Sequence, residues 1–263
     1  MTATSSKQET GPAVRVERRE RTLVMTLDRP AVRNAVNAQM SHELAATLDL
    51  LDGDPDLVVG VLTGAGGCFC SGMDLGAFAR GESPVIPGRG FAGITRVAAT
   101  KPLIAAVEGF AVGGGLEIAL SCDLVVAATG ARLGLPEVKR SLVAAAGGLV
   151  KLPRKIPQHV AMEMALTGEP LPAERLAELG LINRLSRPGE TLDDALELAG
   201  MIAQNGPLAV IASKRIVNEQ RGWADDELWD RQEVIARPVL SSRDAKEGAT
   251  AFKEKRPPVW TGS

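Results

Sequence analysis

Apolar and polar positions alternate over residues 14–28: Val14 and Val16, a polar run from Glu17 to Arg21, then Leu23, Met25 and Leu27. That pattern predicts a hairpin, with Pro30 stopping its second strand. Asn37 is placed to cap a helix whose apolar face is Met40, Leu44, Thr47, Leu48 and Leu51, and Gly53-Asp54-Pro55 ends it. The unbroken branched run at residues 58–62 reads as a buried strand, followed by a Gly64-Ala65-Gly66-Gly67 turn. The same order then recurs: a strand over 103–107, a turn at Gly109, Gly113-Gly114-Gly115 opening a helix over 116–121, and a strand over 123–127. Two successive strand, glycine turn, helix units point to a repetitive spiral, although a parallel three-layer α/β fold produces similar strings. From residue 161 the pattern is helical, with helices expected over 161–166, 172–179, 192–204, 207–220, 225–236 and 242–253. Ser242 is the cap of the last of these, with an acidic first turn. This tail, with exposed-looking Trp223 and Trp229, is expected to pack on another surface, either a neighbouring subunit or the chain's own core.

Composition narrows the function classes. The 263 residues carry a formal net charge of −2 and only 3% aromatics with no Tyr, so neither a basic field nor a base-stacking platform for nucleic acid is present. No apolar run reaches the length of a membrane span. Residues 1–12 are polar, lack the apolar stretch of a signal peptide, and read as a disordered leader. Cys68, Cys70 and Cys122 form neither a disulfide framework nor, with His42 and His159, a metal-ligand cluster. Reduced thiols in a cytoplasmic protein are the expectation, with no metal and no cofactor.

Two glycine-rich segments, residues 64–75 and 109–120, require an explanation. Glycine lets backbone approach a ligand, and a helix that begins at Gly114 offers free N–H groups and a positive dipole end to an oxygen gaining negative charge. Glu117 lies three residues on, one turn along the same face. Turn and packing glycines are the plain alternative. A phosphate cradle would need a Gly-Lys-Ser/Thr ending, and a dinucleotide site would need Gly-x-Gly-x-x-Gly; neither is there.

The order of short motifs is more specific than any one of them. Arg29-Pro-Ala-Val-Arg-Asn-Ala-Val-Asn, Phe69-Cys-Ser-Gly-Met-Asp-Leu, Gly113-Gly-Gly-Leu-Glu, Cys122-Asp and Leu135-Pro-Glu together resemble the crotonase superfamily, and within it the enoyl-CoA hydratases. The resemblance runs from about Val14 to the Glu254-Lys-Arg-Pro-Pro segment. It implies an α/β fold, a spiral of ββα repeats over residues 13–200, with a C-terminal α-helical trimerisation region over 201–263 and a homotrimer or dimer of trimers. It implies an oxyanion hole from the backbone N–H groups of Met73 and Gly114, an element whose loss typically costs about 3–4 kcal/mol of transition-state stabilisation. It implies Glu117 and Glu137 as the catalytic pair. Arg33, Ala35, Ser71, Asp74, Leu75, Gly76 and Pro136 are the implied acyl-CoA-binding residues, with Phe78 and residues 81–93 around the acyl group and Phe252 and Lys255 reaching a neighbouring subunit's site.

Adding water across a conjugated double bond needs a base for the water and an acid for the α-carbon, and two carboxyl groups sharing a site divide these roles. Reversible syn hydration of a 2-enoyl-CoA is therefore the implied reaction, with coenzyme A entering as part of the substrate. Two departures from the usual hydratase pattern are Met73, where alanine is common, and Val143-Ala-Ala-Ala-Gly-Gly148, expected to start a helix behind Glu137. Both also permit a dehydratase, an isomerase or a hydrolase on the scaffold; a non-catalytic acyl-CoA-binding scaffold is the other class.

Overall fold

The hairpin forms as the alternation requires: β1 (Val14–Arg19) and β2 (Thr22–Leu27) pair antiparallel, with Val14 opposite Leu27, in a computed structural model that describes residues 11–97 and 99–263. The leader expected over 1–12 lies outside the described residues as far as residue 10; Gly11 and Pro12 are exposed. β2 then takes β3 (Val59–Gly64) in parallel, and the sheet grows by β6 (Leu103–Val107), β8 (Leu124–Ala128) and β11 (Arg184–Ser186), all parallel. Between β3 and β6 lies a short hairpin of β4 (Val85–Ile86) and β5 (Gly90–Phe91). A second small sheet holds β7 (Phe110–Val112), β9 (Arg132–Gly134) and β10 (Leu171–Pro172).

Apart from Thr63, whose hydroxyl donates to the Ala106 carbonyl, the central strands carry no polar side chains because both faces of the large sheet are covered. On one face Leu62, Leu103, Ala105 and Val107 pack with Leu44, Leu48 and Leu51 of α1 (Ala38–Gly53). On the other, Val59, Val61, Ile104 and Val126 meet Ala195 and Ala199 of α7 (Thr191–Ala203). Asn37 caps α1 through a bond from the Met40 N–H at 3.0 Å, and the apolar face expected of that helix is buried.

Each pass of the chain adds one strand to the large sheet and a shorter extended piece to a second wall. Val36 bridges Met73, Cys70 bridges Ala111, and β7 pairs β9, all in parallel. A helix follows each piece: α1 after Val36, α2 (Leu75–Ala79) after Met73 and α3 (Gly114–Ala119) after Val112. This is a spiral of ββα turns, and the pairing of the second wall, not the repetition in the sequence, separates it from a single doubly wound sheet. α2, β7, β9, β10 and β11 are absent from the sequence reading because pieces of two to five residues are too short to show a period. Strand β8 begins one residue later than expected, since the Asp123 carboxylate turns back to accept the Leu103 N–H at 2.8 Å.

The helical remainder comprises α4 (Gly148–Lys151), α5 (Gln158–Thr167), α6 (Ala173–Glu178), α8 (Pro207–Glu219), α9 (Leu228–Leu240) and α10 (Arg243–Glu254). Ser242 caps α10 by accepting the Ala245 N–H at 3.0 Å. Lys214 ties α8 to the sheet through Asp123 at 2.6 Å and the Ala99 and Lys101 carbonyls. Trp229 is 77% exposed, whereas Trp223 is half-buried. Among the described residues no single helix is long and apolar enough to cross a membrane; only the bent pair of α7 with the segment Pro207–Gly222 passes by length and composition, and α7 is packed on the sheet.

Candidate active site

Two neighbouring turns of the spiral bring equivalent positions face to face. Val36 uses its N–H on the Gly72 carbonyl (2.8 Å) and its carbonyl on the Asp74 N–H (2.9 Å), so the N–H of Met73 between them points away from that partner. One turn on, Gly114 is the first residue of α3, where an N–H has no partner within the helix. Among the described residues neither N–H meets an acceptor of the chain. Gly72 keeps the space between them open: a Cβ there would lie 3.0 Å from the Gly114 nitrogen and 2.9 Å from the Val112 carbonyl oxygen, and its φ is +93°. Gly114 is itself confined, since a Cβ would fall 2.5 Å from the Phe91 ring.

The loop carrying Met73 is held by two side chains. Asn34, fully buried, donates to the carbonyls of Cys68 (2.6 Å) and Ala65 (2.9 Å) and accepts the Arg29 N–H at 2.9 Å. Arg29 reaches the Ala35 carbonyl at 2.6 Å and pairs with Asp74 at 3.0 Å. Burial pushes the Asp74 carboxyl up, but the Ala77 N–H that it caps and the Arg29 charge outweigh this and hold it low.

Glu117 and Glu137 stand beside this pair of N–H groups. Glu117 projects from α3 and is 3% exposed; its Oε1 accepts the Gly148 N–H at 2.9 Å. Burial raises its pKa, opposed by the Gly148 and Ala146 N–H groups and by the Lys151 charge. Glu137 follows the β7–β9 pairing, in which the Gly113 N–H donates to the Gly134 carbonyl at 2.9 Å. Its Oε1 lies against Gly113, 3.2 Å from where a Cβ would be, and its Oε2 is buried with no hydrogen-bond partner. Burial raises the Glu137 pKa too, and the Glu117 charge adds to the rise. Two carboxyl groups of raised pKa, one with a free oxygen, are equipped to hold and pass a proton.

The groups share a cavity of about 740 Å³. Arg33, Ala35, Ser71, Met73, Asp74, Leu75, Gly114, Glu117, Pro136 and Glu137 all line it, whereas Gly76 does not; it sits in the first turn of α2 beside the Asp74 carboxylate. Of the segment expected around an acyl group, Val85, Gly90 and Phe91 reach the cavity, and Phe78 instead lies on the surface. The start of α4 is behind Glu117 and not, as expected, behind Glu137, because Gly148 comes within bonding distance of α3. Phe252 and Lys255 are exposed on this chain, away from its own cavity.

Lys151, which no sequence pattern marked, is bound by the Thr95 carbonyl at 2.9 Å and the Ser121 hydroxyl at 2.7 Å, and that hydroxyl donates to the Glu117 carbonyl. Burial lowers its pKa, while Cys122 and Glu117 oppose the fall. Cys70 and Cys122 are buried, their thiols pushed up to about 12 by that burial, and His42 and His159 are exposed; none of them joins the cavity.

Comparison with known proteins identifies the family of the chain. The family described as Enoyl-CoA hydratase/isomerase matches residues 17–263. The enoyl-CoA hydratase EchA19 of Mycobacterium tuberculosis is 43% identical over 261 residues, spanning 95% of this chain and 97% of the relative. The carnitinyl-CoA dehydratase of Escherichia coli K12 is 42% identical over 249 residues, 91% of this chain and 95% of that one. A crystal structure of enoyl-CoA hydratase from Mycobacterium tuberculosis H37Rv superimposes with a TM-score of 0.95 at 57% identity, covering 96% of this chain and all of that one.

Proposed function

The chain belongs to the enoyl-CoA hydratase/isomerase family, a crotonase-fold acyl-CoA enzyme, and from that premise we propose that it catalyses reversible syn addition of water to a 2-enoyl-CoA, giving the 3-hydroxyacyl-CoA. The observation that carries the reading is the pairing of two carboxyl groups, buried Glu117 and half-buried Glu137 with its enclosed Oε2, with two unpartnered backbone N–H groups in one cavity.

In this reading the thioester carbonyl oxygen lies between the Met73 and Gly114 N–H groups, which stabilise the enolate as negative charge develops on it. The glutamates hold one water over the β-carbon. One carboxylate takes the proton of the attacking water, and a carboxyl proton is delivered to the α-carbon on the same face, so the carbon–oxygen and carbon–hydrogen bonds form syn. Arg33, Ala35 and Ser71 line the CoA side, and Leu75 and Pro136 complete the walls. The active form in this proposal is a homotrimer or dimer of trimers, and the only cosubstrate is water.

Dehydration is the same reaction reversed, and the relatives named carnitinyl-CoA dehydratase make it the second reading. A panel of enoyl-, 3-hydroxyacyl- and aryl-CoA thioesters, scored by mass spectrometry, separates the reactions. A gain or loss of water is the expected result; a shifted double bond without a mass change would identify an isomerase, and free CoA a hydrolase. Glu137→Gln is expected to keep acyl-CoA affinity while lowering turnover of crotonyl-CoA by about 10²–10⁴-fold. Undiminished hydration by that variant would sink the assignment.

A further inference from the structure

The Gly114 N–H belongs to the planar peptide unit between Gly113 and Gly114, so its direction is fixed once that unit is held at two points. One point is the Gly113 carbonyl, which accepts the Glu117 N–H at 3.1 Å. The other has to lie at the Gly114 Cα, within a run of three glycines whose backbone is otherwise free to turn. Each of the three is backed by a different group. A Cβ on Gly113 would lie 3.2 Å from Glu137 Oε1, and one on Gly115 would lie 2.2 Å from the Cys70 carbonyl oxygen. At Gly114 the three nearest atoms outside the local backbone all belong to the Phe91 ring, 2.5, 2.6 and 3.4 Å from the Cβ position. The edge of that ring occupies the place of the missing side chain.

Phe91 is itself aimed by its backbone. It is 6% exposed and stands in β5 opposite Val85. The residues around it turn through the left-handed region, with φ values of +83° at Gly90, +53° at Ala92 and +69° at Gly93. Ala92 is fully buried and carries a Cβ, which that region disfavours. Hydrogen bonds hold it there. The Ala92 N–H donates to the Pro84 carbonyl at 2.9 Å, and the Ile94 and Thr95 N–H groups close on the Phe91 carbonyl at 3.2 and 3.3 Å. Arg89 fastens the same turn to α1 through the Gly93 carbonyl at 3.0 Å and Asp49 at 2.6 Å. A disfavoured conformation held so firmly beside a site marks a side chain whose placement the surroundings dictate.

We propose that Phe91 is a positioning residue for the oxyanion pair. Its ring fills the side-chain space of Gly114 and holds the Gly114 N–H toward the thioester oxygen, so turnover depends on it more than acyl-CoA affinity does. The inference rests on the oxyanion reading of the proposed function and deepens it. A donor stabilises developing charge only when it is already aimed at the oxygen, so a loosened donor costs rate while ground-state contacts persist. Of the three groups behind the glycines, Glu137 is catalytic in that reading and the Cys70 carbonyl is backbone; Phe91 is the side chain that can be exchanged without touching either.

Two measurements on the full chain test it: turnover of crotonyl-CoA, and the infrared carbonyl stretch of bound butyryl-CoA with an isotope label at the thioester carbon. In the wild type the stretch should fall below that of the free thioester, because two donors polarise the carbonyl. Phe91→Ala should bring it part of the way back and lower kcat by about 10–100-fold, with calorimetric affinity for butyryl-CoA within about twofold of wild type. Phe91→Leu, which withdraws the ring edge without emptying the core, should show the same changes at smaller amplitude. A methyl group at position 114 gives the reciprocal test. In the wild-type chain Gly114→Ala meets the ring, but once the ring is removed no other atom outside the local backbone lies closer than 3.4 Å. Gly114→Ala combined with Phe91→Ala should therefore turn over faster than Gly114→Ala alone. An unchanged stretch and kcat in the Phe91 variants, or a double variant no faster than Gly114→Ala, would overturn the proposal. Weaker butyryl-CoA binding with kcat retained would overturn it too, leaving Phe91 as a wall of the acyl site. A wild-type stretch equal to that of the free thioester would instead remove the oxyanion reading itself.

Discussion

Gly72 is the residue on which the candidate oxyanion pair depends most directly, although it donates nothing itself. A methyl group there would stand 3.0 Å from the Gly114 nitrogen at a φ of +93°. Gly72→Ala should lower kcat for crotonyl-CoA by about 10²–10³-fold, the usual effect of losing one donor. Gly67→Ala, at a φ of +70° with open space around it, carries the backbone strain without the obstruction and should leave kcat unchanged, as steady-state assays would show. The glutamates make a second prediction at this scale. Burial raises both pKa values above the ordinary 4.5, so the acid limb of kcat/KM should lie above pH 4.5 and belong to the pair. Glu117→Gln removes a charge that raises Glu137, and the remaining carboxyl should titrate lower in an NMR titration. The folded state holds more protons than the unfolded chain between 4.5 and the raised values, so stability declines as pH rises through that window. Glu137→Gln should therefore raise Tm at pH 8 and not at pH 4.

At the scale of elements, the short helices α3 and α4 act as a unit around Glu117. α4 supplies the Gly148 N–H to the carboxylate, and its last residue, Lys151, binds the Ser121 hydroxyl that closes α3. Lys151 also holds the Thr95 carbonyl, so the segment after β5 is fastened to the same unit. Lys151→Met would strand buried polar partners, a loss of about 1–3 kcal/mol in denaturant unfolding. It should reduce kcat more than it changes KM, and Lys151→Arg should recover part of the loss. A purely structural role would leave kcat unchanged. The Gly147-Gly148 pair was visible in the sequence as a helix start, but which glutamate it serves was not. Spacing along the chain puts it 10 residues from Glu137 and 30 from Glu117, measured to Gly147, yet the fold bonds its neighbour Gly148 to the more distant one.

For the whole molecule, the last helices leave large apolar side chains uncovered. Trp229, Val234 and Leu240 on α9 and Phe252 on α10 are between 72% and 87% exposed, apolar area that a subunit contact would remove from water. If that surface joins subunits, Leu240→Glu combined with Phe252→Glu should convert a trimer or hexamer into monomers in analytical ultracentrifugation. A wild-type chain that sediments as a monomer would contradict the proposed assembly. The low overall charge is compatible with close packing of copies, because like copies repel one another little.

Local rules were sufficient for the longer elements. The Asn37 cap, the apolar stripe of α1, the branched runs of β3 and β6 and the Ser242 cap are decided by side chains a few residues apart, so they could be read from the pattern alone. Motif order likewise identified the family, and nearly all of the site residues it implied line the cavity. What required the tertiary structure were contacts between distant turns of the spiral: Gly72 lying against the Gly114 nitrogen, Glu137 lying against Gly113, and Lys151 reaching Thr95 and Ser121. Periodicity records which face of an element is buried; it contains no record of what that face meets.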